Sequence, residues 1–170
     1  MSASLPVSKV DSLNSTIPAS VDDSEAGNSE LARPLATPKA FILAGKAIFT
    51  LQGVNARYTF KVQYREASGQ YPDTWFVSLL TGPENTSDYT YLGILDSQAG
   101  NVRLTRKSSY KDDSAPVVAI RWALRRIWLD KPLPAPAAIL HAGRCGRCGR
   151  LLTVPTSIES GFGPECIGKI

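Results

Sequence analysis

All three cysteines and the one histidine of this 170-residue chain fall within a single short stretch near its end. His141, Cys145, Cys148 and Cys166 follow the spacing H-x3-C-x2-C-x17-C. Four such ligands are the number that a closed tetrahedral zinc site uses, and four protein ligands leave no position open for a substrate. The glycines of Cys145-Gly146-Arg147-Cys148-Gly149 let the backbone turn back on itself, so that both sulfurs can face one ion. Arg144, Arg147 and Arg150 interleave with the ligands, and positive charge beside a thiolate favours its ionised form. The spacing therefore predicts one structural metal site holding a Zn2+ ion, with iron in the same ligands, or a cluster, as the alternative. A redox pair and buried free thiols fit the sequence less well. A redox C-x2-C pair should open a helix inside a βαβ unit, a context this sequence lacks, and buried unliganded thiols should have apolar neighbours rather than Gly and Arg.

The string from His141 to Cys166, H-x-G-R-C-G-R-C-G-R-L-L-T-x-P-x-S-I-x-x-G-x-G-P-x-C, resembles a small domain of unknown function that recurs in phage and bacterial proteins, alone and appended to other modules. The resemblance implies a Cys3His zinc knuckle with His141, Cys145, Cys148 and Cys166 at the matching positions. It also implies a shortened treble clef: the knuckle, a hairpin over residues 151–158, then a helix start at Gly163-Pro164-Glu165-Cys166. A full treble clef takes two ligands from that last helix, so His141 would supply the missing one. No activity comes with the resemblance.

Other elements must position this site. Residues 1–38 are rich in Ser, Ala, Pro and Asp, without aromatics or sustained periodicity, and read as a disordered arm. Residues 39–130 read as an α+β domain. Tyr58, Phe60, Val62 and Tyr64 alternate with polar residues, and further strand-like runs surround Trp75–Leu79, Tyr89–Leu95 and Val102–Thr105. A first strand is expected over residues 40–51, bent at Gly45. Short turn-rich connections imply an antiparallel sheet of four to five strands. Ser114 can cap one helix over residues 115–129, whose face Val117, Ile120, Leu124, Ile127 and Trp128 should pack on the sheet. Residues 131–140 read as a Pro-rich spacer leading to the knuckle at 141–170.

Charge adds the functional hint. Residues 103–170 carry twelve Lys or Arg against five Asp or Glu, whereas residues 41–102 are nearly balanced at −1. A concentration of positive charge is the footprint of a nucleic-acid contact, and Arg suits bidentate phosphate binding. Lys107, Arg121, Arg125, Arg126, Arg144, Arg147 and Arg150 are the expected phosphate contacts, with Trp122 available to stack on a base. The strand aromatics Tyr58, Phe60, Tyr64, Trp75, Tyr89 and Tyr91 allow a stacking platform, but the alternation assigns most of them to the core.

No catalytic constellation stands out: there is no second histidine, no phosphate-cradling Gly loop and no H-E-x-x-H. No apolar run is long enough to span a membrane, and no small-molecule substrate suggests itself. The expectation is a non-catalytic, cytoplasmic, zinc-containing nucleic-acid-binding accessory protein of phage or mobile-element type, acting on DNA or RNA in the host cytoplasm if phage-encoded. The alternative is an interaction module that binds a host protein through Trp122 and Leu129.

Overall fold

The computed structural model describes residues 33–170. Of the arm expected over 1–38, residues 1–32 lie outside the described residues; 33–38 carry the first strand and the first residue of a helix. The elements run β1 (Arg33–Pro34), α1 (Pro38–Leu43), β2 (Lys46–Gln52), β3 (Arg57–Arg65), β4 (Thr74–Leu80), β5 (Tyr89–Asp96), β6 (Asn101–Arg103), α2 (Ala115–Trp128), β7 (Ala138–His141), α3 (Pro155–Ser160) and α4 (Pro164–Ile167). The architecture is α+β, as expected. The strands form one antiparallel sheet in the order β1-β7-β2-β3-β4-β5-β6.

That sheet corrects the expected four to five strands: it has six strands of three or more residues, plus the two-residue pairing of β1. The meander β2 to β6 is the part that alternation and turn chemistry reveal. β7 comes from the end of the stretch read as a spacer, where the four residues Ala138–His141 pair with β2 and satisfy its otherwise open edge. Arg33–Pro34 then pairs with Leu140 and His141 on the far side of β7.

The expected first strand is also corrected. Its apolar run splits at Gly45, whose φ is +108°. Before it, Pro38 opens a six-residue helix that buries Phe41 and Ile42; after it, β2 begins. A short apolar run does not distinguish helix from strand by periodicity, and Pro at the first helical turn decides it here. Besides α2, therefore, α1 also packs on the sheet.

α2 forms where its pattern places it, although the Ser114 side chain makes no capping hydrogen bond and instead accepts from the Lys111 amide. Val117, Ile120, Ala123, Leu124 and Ile127 are buried, and Pro116 falls in the first turn, where a missing N–H costs nothing. These side chains join Phe41 and Ile42 over Phe49, Phe60, Val62, Val77, Leu79 and Val102 as one core. The indole of Trp75 donates to the Leu43 carbonyl at 3.0 Å, tying β4 to α1. All of this lies on one face of the sheet. Among the described residues no helix contributes to a core on the other face.

Candidate metal centre

β7 ends in His141, which is 1 % exposed on the core face, opposite Phe49. The chain then folds into a tight loop. Leu152 donates to the Gly143 carbonyl at 2.7 Å, Cys145 to Arg150 at 2.8 Å, and Gly149 to Cys145 at 2.9 Å. Arg144 and Leu151 meet in an isolated antiparallel bridge. This pattern is the tight turn that the Gly-rich Cys145–Cys148 segment predicts. The hairpin that the resemblance implied over residues 151–158 does not form: residues 155–160 are helical after Pro155, as α3, and the Arg144–Leu151 bridge closes the knuckle loop instead. Gly161, with φ +78°, ends α3, and α4 brings Cys166 round as expected.

The sulfurs of Cys145, Cys148 and Cys166 converge, all within 4.8 Å of one another. Cys145 is buried, Cys166 half-buried and Cys148 exposed, and none is in a disulfide. Burial opposes ionisation of Cys145, but backbone N–H donors from Cys148, Gly163 and Arg147 outweigh it and hold the thiol down at about 7. At Cys166, burial, hydrogen bonds with Cys148 and Cys145 and their negative charge push the thiol up to about 11. Three convergent sulfurs, one already stabilised as thiolate and another held protonated by its neighbours, form a site in which a cation would relieve the crowding of charge. The donor set fits a thiophilic metal ion. His141 is not one of the three residues whose ligand atoms converge.

The centre is seated on the sheet domain through Phe41. Its ring lies 5.5 Å from that of His141 and 5.9 Å from that of Phe162, centre to centre. Gly146 and Gly161 turn their missing side chains toward this ring: an added β-carbon would meet Phe41 at 2.7 Å and 2.6 Å respectively. The Lys46 amide at the start of β2 donates to the Gly146 carbonyl at 2.7 Å, and Gly146 donates to Gly161 at 3.1 Å. Sequence reasoning missed Phe41 altogether; within a short apolar run, nothing in its neighbourhood marks it as the contact for a segment a hundred residues later.

The residues expected to contact nucleic acid are dispersed and differ in how committed they are. Arg121 pairs with Asp112 at 2.7 Å and donates to the Val102 carbonyl at 2.8 Å. Arg126 donates to Pro132 and lies over the Trp122 ring. Arg144 donates to Gly149 at 3.3 Å, and Arg147 to Lys169 at 2.6 Å, so both fasten the knuckle to itself. Lys107, Arg125 and Arg150 are exposed, and their side chains make no hydrogen bond or ion pair among the described residues. Trp122 is 40 % exposed. Of the strand aromatics, Phe60 is fully buried, Tyr58 and Trp75 pack against the core, and Tyr64 lies at its edge, whereas Tyr89 and Tyr91 are on the opposite face.

No helix among the described residues is long and apolar enough to cross a membrane. No curated protein and no solved structure matches the chain. Residues 135–170, which enclose β7, the knuckle and α4, match the sequence model of DUF6011, a family of unknown function.

Proposed function

We propose that the chain is a non-catalytic nucleic-acid-binding accessory protein of phage or mobile-element type whose C-terminal segment is held by one structural zinc ion. Cys145, Cys148 and Cys166 supply thiolates. In this reading His141, the one histidine, buried four residues before Cys145, completes the set. Zinc suits four N/S ligands without redox demand. When bound, the ion would cross-link β7, the knuckle turn and α4.

The observation that carries nucleic-acid binding is the excess of seven positive charges over residues 103–170, with Lys107, Arg125 and Arg150 exposed and uncommitted. The protein is proposed to work in the cytoplasm, that of the host if phage-encoded. A mobility-shift series on DNA and RNA at increasing salt tests it. Affinity should fall steeply with salt through counterion release, and Arg125→Ala with Arg150→Ala should lower the slope by up to about 2 on duplex DNA.

The rival reading, an interaction module for a host protein, draws on one specific observation. Val118, Trp122 and Leu129 are 52 %, 40 % and 57 % exposed on the outer side of α2. Binding through such an apolar patch would change little with salt.

A further inference from the structure

The near-neutral charge of residues 41–102 conceals a segregation that only the fold makes visible. All four of their cations, Lys46, Arg57, Lys61 and Arg65, stand on strands. Register places all four on the face away from α1 and α2: Lys46 opposite Gln63, Arg57 opposite Gln52, and Lys61 opposite Ile48 and Ser78. Arg103, opposite Ile94, joins them from β6. The acids of the same segment lie in turns, with Asp96 the one exception on a strand. The Asp96 carboxylate is occupied by the Gln98 and Ala99 amides.

Aromatic rings are interleaved with these cations. Phe76, Tyr89 and Tyr91 occupy the same face, and the rings of Phe76 and Tyr91 are 6.3 Å apart. The Lys61 ammonium lies 4.0 Å from the centre of the Tyr89 ring, and the Arg65 guanidinium 5.0 Å from that of Phe76. Beside them is a hollow of about 590 Å³, lined in part by Arg65, Tyr71, Phe76, Ile94, Arg103 and Arg121. Asp73 and Asp96 also border it, but Asp73 already accepts from Tyr64 and from the Ala67 amide.

We infer that this open face of the sheet, centred on Phe76 and Tyr91 and flanked by Lys61, Arg65 and Arg103, binds single-stranded nucleic acid. Cations alone would suit any polyanion. Rings set among cations on an open sheet suit a strand whose unpaired bases stack while its phosphates pass the basic side chains; a duplex offers no base faces to such rings. The inference rests on the nucleic-acid reading above and moves the principal contact from the helix and knuckle to the sheet.

Fluorescence anisotropy of the full-length protein with labelled single-stranded DNA and RNA of about twelve nucleotides, within the roughly 4–16 that a single OB fold covers, tests it against the matching duplexes. Single strands should bind more tightly. Arg65→Glu with Arg103→Glu should weaken binding more than about tenfold and lower the salt slope by about 1.4, at roughly 0.7 per contact. Phe76→Leu should weaken it about tenfold without changing the slope. Should charge reversal disturb the sheet by circular dichroism, Arg65→Gln with Arg103→Gln reads the same slope. Preference for duplex, or parental affinity in Phe76→Leu, overturns the single-strand site. Parental affinity in the Arg65/Arg103 variants, together with loss in Arg125→Ala/Arg150→Ala, overturns it while leaving the nucleic-acid reading intact. A parent protein that binds no nucleic acid removes both.

Discussion

A β-carbon at Gly146 would lie 2.7 Å from Cδ2 of Phe41, closer than such contacts are found. Phe41 is 1 % exposed and sits in the core beneath α1, so its ring has no free space into which to retreat. The cysteine cluster and the sheet domain thus share a packed contact across a hundred residues of sequence. Gly146→Ala should therefore destabilise the protein by about 1–3 kcal/mol, the range for overpacking a core. Chemical denaturation measures this. In a double-mutant cycle with Phe41→Leu the two effects should be strongly non-additive, since both act on one contact; simple additivity would show that the ring and the glycine do not meet.

Cys148→Ser should abolish stoichiometric metal binding and remove hydrogen-exchange protection from residues 143–170, which have little core of their own. Because Phe41, Lys46 and β7 join this segment to the sheet, the thermal midpoint of the whole chain should fall too. An unchanged midpoint, with only the C-terminal segment released, would mean that the two parts are energetically separate.

His141 should matter as a ligand and not only as a buried ring. His141→Asn is expected to cost more zinc affinity than the roughly 10–100-fold typical of changing an outer-shell partner. Competition with a chromophoric chelator reads the loss. Parental affinity would assign the fourth position to a group other than this side chain.

The hydroxyl of Tyr64 donates to the Asp73 carboxylate at 2.7 Å across the β3–β4 connection. That bond, together with burial and the charges of Asp73 and Glu66, raises the tyrosine to about 12. The same bond and the Ala67 amide lower Asp73. A phenol raised from 10.0 in the folded state contributes stability fully below pH 10 and loses it as pH rises through about 12. Asp73, lowered, contributes above its ordinary value of 3.8 and loses the contribution in more acid solution. Tyr64→Phe should flatten the alkaline dependence between pH 10 and about 12 in denaturation measured across that range. An unaltered alkaline limb would exclude the bond as its source.

The parts legible in the sequence are those whose signal is local. Alternation in Arg57–Arg65 gives β3 and its core face, helical spacing from Val117 to Ile127 gives α2, and Cys-Gly-Arg-Cys gives the knuckle turn. What stays hidden depends on pairing at a distance. Ala138–His141 becomes a strand because β2 offers an open edge, not because of its own composition. Phe41 touches Gly146 and Gly161 only after the chain has closed on itself. The basic face is hidden for a related reason: a count along the chain averages strand cations with turn acids, and only the pleat sorts one from the other.

The convergence of Cys145, Cys148 and Cys166 makes them the ligands of one zinc ion in the proposed function, and elemental analysis of protein produced in unsupplemented medium tests this most directly. About one zinc per chain is expected, lost in Cys148→Ser, with the thiols protected from alkylation until a chelator is added. Iron in stoichiometric amount, or no metal with all thiols freely reactive, would contradict it.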